Sequence, residues 1–361
     1  MCLLSLVHIQ PLMMNALGSF MSPKIKRLAL GIGLACVAVG GVRTIYPNDS
    51  QDIALNPLTL NPDNPAMRKV GELEFIAAWE LHSRNGDFGG ISALTALKDG
   101  RFVGIGDAGT RIGFGLTNDT KTNRPFIAPL PNLNGPETSY KDRDSEGIAY
   151  DPDSGQFWVS FEAHHAIRRY SRSFARMTGI ARPAAMQNWP KNKGAESLIR
   201  LKDGQFIIIA ESVDDGTHPA LLFSGDPVEP SSNITQFRFR PPTGYRVTDG
   251  VQLPDGRIAL VNRSIGFPQG FSAKISLLNP NDISPSAVAA GTVVASLAPP
   301  LLVDNLEGIA VTTEGPQIYL WLVSDNNFSI FQRTILMKFR LPSAPDKKKP
   351  EAMAAPGFDS L

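Results

Sequence analysis

From Glu72 onward, apolar and polar residues alternate in short runs separated by turn residues, and no helical period lasts more than a few turns. That pattern predicts an all-β chain. One phrase then recurs. Gly90-Ile91-Ser92 leads through Lys98-Asp99-Gly100 to Asp107, and Glu146-Gly147-Ile148-Ala149 leads through Asp153-Ser154-Gly155 to Glu162. Glu196-Ser197-Leu198, Asp249-Gly250-Val251 and Glu307-Gly308-Ile309 open three further copies, which reach Glu211, Asn262 and Asp325. A spacing of about 50 to 58 residues is that of propeller blades with long loops.

Each copy reads as strand, Asp-Gly or Ser-Gly hairpin, strand, because those pairs tolerate the positive φ that tight turns demand. Two outer strands follow, at Ala220 to Ser224 and Thr235 to Arg240 in the third copy, and at Ala273 to Leu278 and Thr292 to Leu297 in the fourth. The fold expected is a β-propeller of four-stranded blades, five in number with room for a degenerate sixth. The last copy runs out after three strands at Leu341, and an unpartnered strand, Glu72 to Leu81, precedes the first. Pairing these closes the ring and removes exposed sheet edges. The propeller domain is therefore placed at 72–341, after a Pro- and Asn-rich linker at 41–71 and before a disordered tail at 342–361.

Lys24, Lys26 and Arg27 precede an apolar stretch from Leu28 to Val42, in the order of a secretory signal, and residues 1–40 are set aside as leader and signal peptide. Export to the periplasm or the extracellular space is expected, with membrane attachment only if the leader stays uncleaved. Both cysteines, Cys2 and Cys36, lie in that leader, which leaves the mature protein without a disulfide or a thiolate-bound metal. A net charge of +1, with no basic run interleaved with aromatics, argues against nucleic acid as a partner. The expected protein is a monomer that meets a small anionic or ester substrate.

In a propeller the first strand of each blade lines the central channel, so the residues opening it converge. Here they are Glu146, Glu196, Asp249 and Glu307, with a second set, Asp107, Glu162, Glu211, Asn262 and Asp325, closing the next strand. Carboxylates brought together repel one another and call for a cation. An all-oxygen donor set suits a hard divalent ion such as Ca²⁺, and no H-E-x-x-H spacing points to zinc. The alternative is that each acid caps a strand end or bonds a neighbouring blade's backbone. Arg143, His164, His165, Lys193 and Arg263 stand beside these acids in sequence: Lys193 and Arg263 could receive an anion, and Glu146 with His164 and Arg143 could carry catalysis. No G-x-S-x-G nucleophile turn occurs in the mature chain, and Ser92, Ser145 and Ser197 fit tight strand starts as well as chemistry.

At Asp144-Ser145-Glu146-Gly147-Ile148-Ala149, Gly194-Ala195-Glu196-Ser197-Leu198 and Asp304-Asn305-Leu306-Glu307-Gly308-Ile309-Ala310, with the run from Ile318 to Asn327, the chain resembles the phytase-like, or "esterase-like activity of phytase", family of exported bacterial proteins. The resemblance spans about Glu72 to Leu341. It implies a propeller whose acids bind calcium and hydrolyse phosphate esters or related esters. β-Propeller phytases carry a denser set of acids and phosphate-binding cations than this chain, so phytate itself is not implied. A lactonase-like propeller using the same acids, and a non-catalytic binding propeller, are the competing functions.

Overall fold

The computed structural model describes residues 49–118, 120–131 and 143–342. The leader and most of the tail expected from the sequence lie outside these residues. Strands dominate. β1 (Ala54–Leu58), β2 (Lys69–Val70) and β3 (Leu73–His82) open the described chain. The first two fall inside the stretch expected to be linker. Polar and proline residues mask β1, in which Leu55 alone is buried, and its pairing with β3 from Ala54↔His82 to Leu58↔Ala78 is what makes it a strand.

Among the described residues, five four-stranded antiparallel units follow the repeat. Unit 1 is β4 (Ile91–Ala96), β5 (Phe102–Gly106), β6 (Thr110–Asn118) and β7 (Lys121–Pro129). Unit 2 is β8 (Ser145–Tyr150), β9 (Phe157–Phe161), β10 (Ala166–Tyr170) and β11 (Met177–Ala181). Unit 3 is β12 (Ala195–Arg200), β13 (Phe206–Ala210), β14 (His218–Phe223) and β15 (Ile234–Arg240). Unit 4 is β16 (Arg246–Gln252), β17 (Ile258–Gly266), β18 (Gly270–Leu278) and β20 (Thr292–Leu297); the intervening β19 (Val288–Ala290) adds to β15 in parallel. Unit 5 takes β21 (Leu306–Glu314), β22 (Gln317–Ser324) and β23 (Ile335–Leu341) from the end of the chain and β3 from its start. The expected closure between the two ends is therefore present. β1 reinforces it by pairing with β3 and touching β7 at Ala54↔Lys121, which joins the sheets of units 5 and 1.

The core is divided as the ring requires. Five apolar clusters each fill the space between neighbouring sheets, for example Ala93, Val103 and Ile105 against Ile148, Phe157 and Val159 between units 1 and 2. Each sheet is thus buried on both faces, which explains the near-continuous apolar character of β5, β9 and β13. The inner strands pack side by side around the axis, and glycine permits the closest approach. A Cβ on Gly147 would stand 2.9 Å from the Leu198 backbone nitrogen, and one on Gly308 would stand 2.9 Å from that of Leu94. Among the described residues, no helix is long and apolar enough to cross a membrane.

Candidate functional site

Every inner strand carries an irregularity at its start. The pairing of β12 with β13 jumps from Ala195↔Ala210 to Ser197↔Ile209, which makes Glu196 the extra residue of a β-bulge. The same jump singles out Ser92, Thr248 and Glu307, and in unit 2 the irregular stretch is Glu146-Gly147. Bulges re-aim side chains, and these lie at one end of the ring, its mouth, with Thr248 and Ser92 buried and their hydroxyls donating to Leu306 O and Gly90 O. Two residues upstream of each bulge lies the residue that faces the end of the second strand. Glu162 N–H donates to Asp144 O, Glu211 N–H to Gly194 O, Asp325 N–H to Asn305 O and Asp107 N–H to Gly90 O, while Arg246 pairs with Arg263. The mouth is therefore built from three equivalent positions per unit. They hold Gly90, Ser92 and Asp107; Asp144, Glu146 and Glu162; Gly194, Glu196 and Glu211; Arg246, Thr248 and Arg263; and Asn305, Glu307 and Asp325.

This register corrects the sequence reading in unit 4. Asp249 was expected among the cation ligands, and Asn262 in the second set of acids. The bulge in unit 4 lies one residue earlier than the Asp-Gly phrase suggests, so Thr248 and Arg263 occupy the mouth positions. Asp249 is instead 1% exposed, and its carboxylate accepts N–H bonds from Gly250 at 2.7 Å and from Ile309 of unit 5 at 2.9 Å. Burial raises its pKa well above the usual range against those bonds and one from Leu94 of unit 1. It links inner strands of three units, and backbone N–H groups take up its carboxylate oxygens. Asn262 is fully buried, its Nδ2 donating to Ser276 Oγ at 2.9 Å.

The remaining acids come together. Asp144, Glu146 and Glu162 each offer an oxygen within 4.8 Å of the others. Desolvation pushes Glu146 well above the ordinary carboxylate range, and Glu196, Asp144, Glu162 and Glu307 push it further. Glu162 rises to about 8, mainly through burial and then through Asp144, although it accepts the Gly194 N–H at 3.2 Å. Glu196 is raised by burial and by Glu211 and Glu307, partly offset by Arg263. Asp325 is raised by burial, Glu307 and Asp107. Three carboxylates at this spacing, with Glu146 and Glu162 pushed towards the neutral form by burial and by their acidic neighbours, fit a hard divalent cation, which would relieve both penalties.

Unit 4 faces this group with the opposite sign. Arg263 donates through Nη1 to Asn305 Oδ1 and to Glu307 Oε1, and Arg246 pairs with Glu211 at 3.2 Å. Glu307 is raised by burial, with Arg263 and Asn305 acting to lower it. Of the other expected residues, His164 is exposed on the turn after Glu162, whereas His165 is buried with Nε2 against Trp189 O at 2.9 Å. Arg143 packs its Cβ and Cγ over Gly109, and Lys193 lies in the turn before β12. Ser145 Oγ donates to Gly106 O at 2.7 Å and Ser197 is fully buried, so neither hydroxyl stands open as a nucleophile. Sequence reasoning passed over Arg246 and the place of Asp144 in the acidic group. Their signal is their place two residues before the bulge, which only pairing register reveals.

Three comparisons bear on this arrangement. Similar solved structures include glutaminyl cyclase from Myxococcus xanthus, at 14% identity and a TM-score of 0.45 over 74% of this chain and 95% of that one. The major allergen Mala s 1 of Malassezia sympodialis is 13% identical with a TM-score of 0.42, covering 76% of this chain and 91% of the allergen. No curated protein matches the chain at a significant level. The model of the phytase-like family, described as "Esterase-like activity of phytase", matches residues 86–328. That span is more than half of the chain and includes every mouth position named above, so the protein belongs to the phytase-like family.

Proposed function

We propose that the protein is an exported hydrolase of phosphate esters or related anionic esters, with a divalent cation, Ca²⁺ by its donor set, held by Asp144, Glu146 and Glu162. One observation carries the reading: at three register-equivalent positions unit 2 presents Asp, Glu and Glu, and unit 4 presents Arg, Thr and Arg. A mouth with both signs suits a substrate that is itself anionic and must also meet a cation. A bound cation would supply Lewis-acid polarisation of an ester oxygen. Arg263 and Arg246 would hold the anionic group through their planar forks, with Arg263 oriented by Asn305 and Glu307. Glu196 lies between these poles, its carboxyl raised by burial and acidic neighbours, and would hold the proton delivered to the leaving oxygen as water adds across the ester bond. His164, Arg143 and Lys193 border the mouth as supporting groups.

The test is hydrolysis of 4-nitrophenyl phosphate and 4-nitrophenyl acetate by the purified protein, with and without chelator, beside Glu146→Gln and Arg263→Met. Activity should fall at least about a hundredfold with chelator or with Glu146→Gln, on the scale of losing a stabilising group at the reacting centre. Turnover indifferent to both would sink the assignment.

A further inference from the structure

The four most exposed large apolar side chains among the described residues are Ile265 at 56%, Phe267 at 87%, Ile330 at 73% and Phe331 at 72%. All stand at the mouth end, on the β17–β18 hairpin of unit 4 just beyond Arg263 and on the β22–β23 connection of unit 5 just beyond Asp325. β17 runs past Arg263 to Gly266 before returning as β18, with Ile265 paired to Phe271. Side chains alternate along a strand, so Ile265 shares a face with Arg263, whose guanidinium bonds Asn305 and Glu307 of unit 5. Asn305 follows Asp304, and Asp304 Oδ2 accepts the backbone N–H of Arg333 at 3.2 Å, two residues beyond Phe331. The two apolar pairs are thus tied by one hydrogen-bonded path to either side of the same cationic stretch of rim. Exposed apolar groups mark binding surfaces, and here Ile265 lies on the strand face of the group that would hold an anion.

We infer that the substrates of this site are amphiphilic: an anionic ester head at Arg263 and Arg246, and a medium-length alkyl or acyl chain lying over Ile265, Phe267, Ile330 and Phe331. The inference rests on the hydrolase reading for the fate of the head group, while chain binding is independent of turnover. An apolar rim gives a use to the β17–β18 hairpin, which extends beyond the mouth in the unit that supplies the two arginines.

The experiment is calorimetric titration of the full chain with octyl phosphate and methyl phosphate, below micelle-forming concentrations, for the wild type and for Phe267→Ser with Phe331→Ser. Both positions are exposed, so the melting temperature should hold. Octyl phosphate should bind about tenfold or more tightly than methyl phosphate, as burial of an alkyl chain requires, and the paired variant should collapse that ratio towards one. Equal affinity for the two ligands, or a ratio that survives both substitutions, overturns the inference. Sedimentation with uncharged phosphatidylcholine vesicles, lost in the paired variant while octyl and methyl phosphate bind alike, also overturns it and makes the rim a membrane-docking surface. Binding of octyl phosphate with its ratio intact but without phosphate release overturns the hydrolase reading and leaves this one in place.

Discussion

Units 2 and 4 share one backbone plan and opposite chemistry. In unit 2 the bulge and its flanking positions carry Asp144, Glu146 and Glu162, and in unit 4 the same positions carry Arg246, Thr248 and Arg263, with the nearby carboxylate of Asp249 turned into the backbone of neighbouring units. The difference teaches that an acid in a repeat phrase has two destinations, decided by a single step of register. One step places it at the mouth, among other carboxylates that raise its pKa. The other places it between inner strands, where N–H groups consume it.

Substitutions at the two kinds of acid should separate them most sharply. Asp249→Ala leaves the buried N–H groups of Gly250 and Ile309 without their acceptor, and should cost about 2–5 kcal/mol in denaturant unfolding. If Asp249→Ala proved as harmless as Glu146→Gln, the distinction between linking and mouth acids would fail. Next in size is Arg263→Leu, which strips the partner from Glu307 and should destabilise by about 2–4 kcal/mol near pH 8, and by less near pH 5, where the orphaned carboxyl takes up a proton. Equal losses at both pH values would show that packing of the Arg263 stem, and not its charge, is what counts.

A pH series examines the mouth as a whole. Glu162, near 8 in the folded protein, binds its proton more tightly there than in the unfolded chain, so its contribution is fully present below about 4.5 and is lost as pH rises through about 8. Glu146, Glu196 and Asp325 shift in the same direction. Metal-free protein should therefore lose several degrees of melting temperature between about pH 5 and pH 8, and millimolar Ca²⁺ should restore them at the upper end. His218 opposes this trend. It is buried with Nδ1 against Ala210 O, its pKa is lowered to about 4, and its contribution is lost as pH falls from about 6.5 towards that value. The smallest effect is expected from Glu146→Gln with Glu162→Gln, which should raise metal-free stability by about 1 kcal/mol at pH 8 by removing repulsion, and abolish the calcium response. A calcium response that survives both changes would move the cation elsewhere.

Much of this was legible in the sequence, for physical reasons. The recurring Asp-Gly and Ser-Gly hairpins locate the inner strand pairs because only such turns supply the required backbone angles, as Gly100, Gly155, Gly204 and Gly256 do with positive φ. The outer strands of units 3 and 4 and the closing strand fell within a few residues of their places. β1 escaped, since Asn56 and Pro57 carry no strand signal and the pairing is dictated by β3 alone. At the mouth, Glu146, Glu196 and Glu307 stood out because they repeat, and Arg263 because it follows the end of the second strand in its copy. Asp249 was misplaced because a bulge adds a residue without changing the phrase around it. Arg246 and Asp144 were overlooked because they lie across the strand from their partners, at a distance that spacing along the chain does not express.

The direction of β1 has a consequence for how the molecule is held. It starts at Ala54, opposite His82 at the mouth end of β3, and runs away from that end. The residues just before it stay there, Gln51 receiving the Ile127 N–H on its side chain and Ser50 O accepting from Asn85. The described chain therefore enters the fold at the rim itself, beside the loop that carries Asn85. A tag or anchor fused at Asp49 would meet the open face of the ring and not its far side.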